Sequence, residues 1–532
     1  MKVLIIFVKL RQFINQSFRT NNTSPRRGEF IPFFNMWKKI RVALALVFFV
    51  AITGLFLDFT GTIHQWFGWM AKIQFLPAFL AMNVAVIAGL LLLTLIIGRV
   101  YCSVICPLGV FQDVISWISS RRKKGRYRFS YSPELKWLRY SVLVIFSAAV
   151  IAGIGSFVAL LAPYSAYGRI VSSLFAPLYA WGNNQLAHIA ERMDSYAFYE
   201  TDVWIKSIST LAIATTTFIV LAVLAWRNGR TYCNTICPVG SLLGFFSRFA
   251  IFRVTIDEDK CNRCGLCSKK CKASCIDGKA HKIDYSRCVA CMDCIETCKH
   301  DSIKLRYYRN TVKPATAQPE ESVDEGRRNF LGATAILATT VAMKAEENKV
   351  DGGLAAIVDK KIPARATRIV PPGAHGHIHL SRHCTACQLC ITVCPNGVLR
   401  PSASLENFMQ PELSYERGYC RPECTKCSEV CPTGAIKQIS PADKSAIQIG
   451  HAVWVNSNCV PLTDDVECGN CARHCPVGAI QMIPFDTTNP AAVKIPLVDT
   501  ERCIGCGACE NLCPARPFSA IYVEGHERHR IV

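Results

Sequence analysis

The sequence predicts a membrane α-helical part, built as a four-helix unit, followed by two small α+β modules held together by ligated cysteines. Three observations predict it. Four charge-poor apolar runs fill the first half, nine cysteines crowd from Cys261 to Cys298, eight of them at ligand spacing, and sixteen more fall in four groups between Cys384 and Cys513. At 532 residues the chain exceeds one domain, and 29 cysteines are far more than a packed core uses. Disulfide scaffolds belong to short secreted chains, whereas these cysteines stand at ligand spacings, so ligation is the better reading. The net charge of +21 points to a membrane surface and not to nucleic acid. The basic residues gather beside the apolar runs, and no nucleic-acid motif is present.

Residues 1–35 form an N-terminal lead. They open with the short apolar run Val3 to Val8 and turn polar and basic as far as Arg26 and Arg27, without the small-residue cleavage site of a secretory signal. Met36, followed by Trp37, Lys38, Lys39 and Arg41, is a more natural beginning. The lead is either a loosely structured cytoplasmic segment or the product of a misplaced start codon.

Residues 36–250 are the membrane unit. Its runs, Val42 to Leu57, Phe79 to Ile97, Tyr140 to Ala162 and Ile208 to Trp226, approach the roughly 20 residues that cross a bilayer. Buried soluble helices rarely stay free of charge for so long. Lys38, Lys39 and Arg41 precede the first run, Arg121, Arg122, Lys123, Lys124, Arg126 and Arg128 follow the second, and Arg227, Arg230, Arg248 and Arg253 follow the fourth. The segment Gly61 to Pro77 holds only Lys72, and Pro163 to Thr201 mixes Arg169 and Arg192 with Glu191, Asp194 and Glu200. Positive loops stay inside, so both ends of the unit are expected in the cytoplasm.

The unit repeats itself. Gly98-Arg99-Val100-Tyr101-Cys102-Ser103-Val104-Ile105-Cys106-Pro107-Leu108-Gly109 aligns with Gly229-Arg230-Thr231-Tyr232-Cys233-Asn234-Thr235-Ile236-Cys237-Pro238-Val239-Gly240. Each copy carries C-x3-C-P, and in a continuous helix the i, i+4 spacing would put both thiols on one face. Cys102, Cys106, Cys233 and Cys237 are candidate redox thiols. They could converge on one metal or cluster, form a pair of dithiols, or be reduced structural thiols at a helix end.

Residues 251–309 contain Cys261, Cys264, Cys267, Cys271 and then Cys288, Cys291, Cys294, Cys298, which is C-x2-C-x2-C-x3-C written twice. That spacing brings three thiolates to one cubane while the fourth reaches a neighbour. Zinc sites instead pair two C-x2-C knuckles across a longer spacer. The stretch resembles a bacterial two-cluster ferredoxin, and the resemblance assigns Cys261, Cys264, Cys267 and Cys298 to one cluster, and Cys288, Cys291, Cys294 and Cys271 to the other. Such motifs usually end Cys-Pro. Here Lys272 and Lys299 follow the fourth cysteines, restoring an N–H and adding positive charge, both of which favour the reduced state. Cys275 is a spare thiol or an alternative to Cys271. Together the two C-x3-C-P repeats and this ferredoxin resemble, over about residues 36–305, the NapH-type membrane component of periplasmic nitrate reductase systems. Similar pairs occur in NosR-type and CcoG-type membrane ferredoxins.

Residues 310–326 turn polar, with Pro314 and Pro319, and read as a linker. In residues 327–345, Arg327-Arg328-Asn329-Phe330-Leu331 leads into a short apolar run, which resembles an internal twin-arginine export signal; a basic helix start in a cytoplasmic linker is the alternative.

Residues 346–532 hold four more groups: Cys384, Cys387, Cys390, Cys394; Cys420, Cys424, Cys427, Cys431; Cys459, Cys468, Cys471, Cys475; and Cys503, Cys506, Cys509, Cys513. All end in Cys-Pro, and wider gaps follow Cys420 and Cys459, as if loops were inserted there. This part resembles the NapG-type four-cluster subunit. By that analogy the outer groups exchange their fourth ligands, Cys513 and Cys394, and the middle groups exchange Cys475 and Cys431.

Twenty-four cysteines then serve six [4Fe-4S] clusters, four lie in the membrane repeats and Cys275 is left over. No nucleophile–base pair, phosphate loop or flavin fingerprint stands out, so the chain reads as a wire. The resemblances imply a quinol dehydrogenase-type electron-transfer component of the bacterial inner membrane, with a periplasmic C-terminal module. Its partners would be membrane quinol, an extracytoplasmic reductase or cytochrome, and the twin-arginine export machinery. A CcoG-like copper reductase or redox maturation factor, and a cluster-bearing sensor or scaffold, are the alternatives. His64 and Asp58, near the outer face, are candidates for a quinol site beside an ordinary interfacial role.

Overall fold

A computed structural model describes residues 32–58, 61–121, 129–195, 198–201, 203–307, 358–486, 488–489 and 492–531. The linker and the twin-arginine-like segment lie outside the described residues. Helix α1 (Pro32–Leu57) carries the first apolar run. Its stretch Trp37–Leu57 and the fourth run, Ile208–Asn228, are each 21 residues and are long and apolar enough to cross a membrane. At 1.5 Å per residue each extends roughly 30 Å.

The second and third runs are broken. Helix Phe75–Leu80 ends in a turn with Met82 at φ 55°, and Asn83 then caps α2 (Val84–Ile97, 14 residues) by accepting the Val86 N–H. In the third run, α3 (Lys136–Ala152, 17 residues) stops at Gly153, φ 74°, and a separate helix Gly155–Leu161 follows. Hydropathy registers neither break, because the residues that turn the chain are themselves apolar or neutral. The second break serves docking: a Cβ on Gly155 would stand 2.3 Å from the Ser381 carbonyl oxygen of the C-terminal module. Two of the four expected runs thus reach spanning length.

In the module after the helices, β1 (Phe252–Ile256) pairs antiparallel with β2 (Ile303–Tyr307), from Phe252 opposite Tyr307 to Ile256 opposite Ile303. The C-terminal module contains β3 (Ile447–Trp454) paired antiparallel with β4 (Ile521–Ile531), with an irregularity between Gly525 and Arg530. Two hairpins fold its cysteine groups together, Leu399–Pro401 with Pro411–Leu413 and Ile480–Pro484 with Lys494–Val498.

The two modules sit at opposite ends of the helices. At the start of α1, Lys38 pairs with Asp293, and beyond the end of helix Ile208–Asn228 the Arg230 N–H donates to the Lys272 carbonyl. At the other ends, Gly61 packs on Lys426, Lys206 Nζ donates to the Ile391 carbonyl (3.1 Å) and Ser172 Oγ to Gln388 Oε1 (2.7 Å). One continuous core runs from Cys294 and Ile303 through the helices to Leu389 and Tyr415, while Cys459, Ala479, Cys503 and Ile521 belong to a second, separate core.

Candidate cluster sites and the thiol site between them

The cysteine loops share a backbone device. In the groups beginning at Cys261, Cys288, Cys384 and Cys503, the residues on either side of the second cysteine both take positive φ: Arg263 and Gly265, Ala290 and Met292, Ala386 and Gln388, Gly505 and Gly507. Alternating right- and left-handed residues turn successive amides toward one point and form an anion-binding nest, as iron–sulfur sites require. Amides already point at sulfur: Ala386 N–H donates to Cys384 Sγ (3.4 Å), Ile436 to Cys431 (3.4 Å), Ala479 to Cys475 (3.2 Å) and Ala520 to Cys513 (3.3 Å). The donor set fits cubanes. The two groups with wider gaps lack the paired turns, since Thr425 and Gly469 have negative φ.

In the first module Cys294 feels the charges of Cys291, Cys288 and Cys271, the set expected for one cluster. Cys275 is also buried there, with its Sγ 3.6 Å from that of Cys271. The two lysines separate. Lys272 is buried and bridges Asp113 of the helical unit (2.9 Å) and Asp293 (3.2 Å), whereas Lys299 is exposed. The positive charge that Lys272 was expected to add is therefore compensated, and the residue works as a fastener. Burial alone would raise the Asp293 carboxyl, but Lys272, Lys38 and Arg41 outweigh it and hold the group well below the usual carboxylate range.

In the C-terminal module the expected pairing of outer with outer and middle with middle groups is overturned. Cys384, Cys387 and Cys390 all feel the charge of Cys431, and Cys420 and Cys427 feel that of Cys394. Cys459 and Cys471 stand with Cys513, and Cys503 and Cys506 with Cys475. The reason is local. The hairpin between Cys394 and Cys420 folds the second group back on the first, the hairpin between Cys475 and Cys503 does the same for the last two, and the two cores divide along the same line. Sequence reading missed Tyr415, wholly buried where the halves meet. Its hydroxyl donates to the Gly505 carbonyl (2.7 Å), and a Cβ on Gly507 would stand 2.2 Å from its ring.

The membrane repeats do not form continuous helices. Cys102 and Cys233 lie in the short helices Val100–Val104 and Thr231–Thr235, while Cys106 and Cys237 are extended residues that precede the proline of the next helix, Pro107–Ser120 or Pro238–Ser247. Proline at the first helical position is the reason. So the thiols of a pair meet across a bend, not along one helix face. All four are buried and feel one another's charge. Each arginine reaches into the other copy: Arg230 Nη1 donates to the Cys102 carbonyl (2.6 Å) and Arg99 Nη2 to the Cys233 carbonyl (3.0 Å). The glycine that closes each motif is obligatory, since a Cβ on Gly109 or Gly240 would stand 2.2 Å from the same carbonyl oxygens. Asp113, which holds Arg230 through two 2.7 Å bonds, was detectable only as a lone carboxylate in an apolar stretch.

Asp58 and His64 have a structural task. The Asp58 carboxylate accepts the N–H groups of Gly61, Ile63 and His64 and so caps the turn after α1. A different place offers itself to a small apolar ligand: a cavity of about 150 Å³ between the helical unit and the C-terminal module, walled by Phe56, Tyr179, Trp204, Lys206 and Ile391.

A family model described as a 4Fe-4S binding domain matches residues 79–126 and 210–256, and a 4Fe-4S dicluster domain matches residues 383–435 and 466–516. The methylamine utilization ferredoxin-type protein MauM of Methylophilus methylotrophus is 31% identical over 169 residues, covering 30% of this chain and 71% of MauM. An uncharacterized protein of Methanocaldococcus jannaschii is 22% identical over 280 residues, 52% of this chain and 89% of that protein. The ferredoxin-type protein NapF of Escherichia coli K12 is 26% identical over 184 residues, 34% of this chain and 99% of NapF. No solved structure matches the chain.

Proposed function

Because the chain belongs to the 4Fe-4S ferredoxin-type proteins, of which MauM is one, we propose that it passes electrons from membrane quinol to an extracytoplasmic reductase or cytochrome, in the manner of a NapH-type membrane ferredoxin fused to a NapG-type polyferredoxin. Iron–sulfur electron transfer is the established part of this reading. The observation that carries the rest is the seating of two cysteine-rich modules at opposite ends of the same helices. The outward surface of those helices is apolar: Val42, Val47 and Val50 on α1, and Ile219, Val220 and Val223 on the fourth run, are exposed, as a lipid-facing surface would be. Lys38, Lys39, Arg41, Arg248 and Arg253 gather at the end that holds residues 251–307, which favours the cytoplasm for that end and the outside for the other.

When bound, the clusters supply one-electron storage and relay. The protein's part is to hold and space them, through the cysteine sets described above and the amides aimed at their sulfurs. The 150 Å³ cavity suits a quinol ring: its walls are largely apolar, and Gln388 and Ile391 on its rim flank Cys390. Burial lowers the Lys206 ammonium from its ordinary value, which brings it closer to proton exchange with a quinol hydroxyl.

The test is anaerobic reduction of the purified protein by a menaquinol analogue, with Trp204→Ala as the cavity variant. Bleaching of the cluster absorption by the analogue, slowed about tenfold in the variant, is expected. Wild-type clusters that dithionite reduces but quinol does not would end the quinol reading. Reporters fused after Arg306 and after Val532 test the sides, and cytoplasmic activity from both would remove the extracytoplasmic acceptor.

A further inference from the structure

The group Cys420, Cys424, Cys427, Cys431 departs from the regular spacing by one residue, and its loop lacks the donors that the regular groups have. In those groups backbone amides address the sulfurs: that of Ala386 donates to Cys384, that of Leu389 to Cys387, that of Gly505 to Cys503 and that of Ala508 to Cys506. In the widened loop Cys420-Arg421-Pro422-Glu423-Cys424, Pro422 has no N–H to give. Thr425, at φ −113°, does not supply the left-handed turn that closes a nest.

The side chain of Lys444 takes that place. Ser440 and Asp443 form a capping box that fixes the start of the helix Pro441–Ala446, with Pro441 in its first turn. Lys444 follows on that helix and is 5% exposed, and its ammonium reaches back to the loop, donating to the Arg421 carbonyl and to the Cys424 carbonyl (2.6 Å). It also donates to the Cys420 thiol, and Cys427 feels its charge. Asp443, the carboxylate beside it in sequence, is exposed and engaged by Ser440, and among the described residues Lys444 forms no ion pair. A buried ammonium without a carboxylate is strongly unfavourable on its own. A cubane and its thiolates together carry net negative charge and would supply the missing counter-charge.

We propose that Lys444 sets the reduction potential of the cluster shared by Cys420, Cys424, Cys427 and Cys394: its fixed positive charge stands in for the missing nest and makes that cluster easier to reduce. The proposal rests on the iron–sulfur reading of these cysteines and on no particular donor or acceptor. Adding one electron makes a cluster more negative, so a cation beside it favours the reduced form, and the low dielectric of a buried site strengthens the effect. The position of this cluster gives the lysine its importance. The Cys420 N–H donates to the Cys506 carbonyl (2.9 Å), and Cys506 feels the charge of Cys420, so this is the cluster of the first C-terminal half that stands against the second. An electron passing between the halves is held at that junction by the lysine, with no bond made and no proton moved.

The experiment is an EPR-monitored redox titration of anaerobically reconstituted full-length protein, with dithionite as the reductant, in which the signal altered by Cys427→Ser identifies the cluster. Lys444→Met, and Lys444→Gln, which keeps a donor for the carbonyls but not the charge, should lower the equilibrium constant for its reduction at least about tenfold, equivalent to about 59 mV for one electron, and leave the other signals in place. Lys444→Arg keeps the charge and should stay within about threefold of the wild type, or about half that shift. Should the neutral variants lose the cluster instead, a deficit of about four iron confined to them, with Lys444→Arg fully loaded, supports the same role of the charge. An unshifted potential in loaded Lys444→Gln, or a Lys444→Arg protein that behaves like the neutral variants, would overturn the proposal and leave Lys444 a fastener of the loop. Wild-type protein without this signal would overturn the cluster reading itself, so the two fail separately.

Discussion

Replacing Lys272 with methionine should loosen the first module from the helices. The ammonium lies between Asp113 (2.9 Å) and Asp293 (3.2 Å), with side-chain exposures of 11%, 15% and 17%. Removing one partner of a buried pair costs roughly 3–5 kcal/mol when the charge left behind is uncompensated. Here compensation is partial, since Asp113 keeps Arg230 at 2.7 Å and Arg41 at 3.9 Å, and Asp293 keeps Lys38 at 3.2 Å. The cost should therefore fall to about 2 kcal/mol, equivalent to about 30-fold in the opening equilibrium. Hydrogen exchange under anaerobic conditions reads it directly: amides in 251–307 should exchange about 30-fold faster, while those in 358–531 keep their protection. Lys299→Met, which removes an exposed charge, is the control and should change neither. Equal behaviour of the two variants would refute the fastening role and return Lys272 to the solvated surface charges.

Two further outcomes are expected. Cys431→Ser should disturb the cluster held by Cys384, Cys387 and Cys390, and Cys513→Ser the one held by Cys459, Cys468 and Cys471, as read by EPR; the reverse pattern would restore the outer-with-outer pairing. His529 is held down to about 4 by burial, His375 and His526. A histidine whose folded value lies below its unfolded value of about 6.5 loses stability as pH falls from about 6.5 toward about 4, here by about 3 kcal/mol. Protection of the strand 521–531, corrected for intrinsic exchange, should fall across that window and fall less steeply in His529→Leu, which leaves only the smaller share of His526 and His375.

The candidate cluster cysteines stood out in the sequence by their spacing, and the groups that keep C-x2-C-x2-C carry the paired left-handed turns in the structure. The bend in each membrane motif was half legible: the proline after Cys106 and Cys237 marks a helix start, but the i, i+4 interval reads equally well as one unbroken helix. Ligand exchange in the C-terminal module was not legible, since it depends on which hairpin folds back on which group. Lys272 and Lys299 look alike in sequence and differ in structure because the partner of the first, Asp113, comes from 159 residues away. The breaks at Met82 and Gly153 escaped hydropathy for a related reason, as their cause is backbone conformation and the approach of a distant module.

The separation of the two larger cores bears on where the proposed acceptor would meet this protein. The first pair of C-terminal cysteine groups shares its interior with the helices, so that half is rooted on them. The half that carries Cys459 to Cys513 has a core of its own but joins the rooted half through Ile449 and Val523, which pack into the first core, and at Cys420, whose N–H donates to the Cys506 carbonyl. If the chain delivers electrons to an extracytoplasmic acceptor, as proposed above, that acceptor meets a terminal anchored on the helices, and its docking footprint should be sought on the half that carries Cys459 and Cys468.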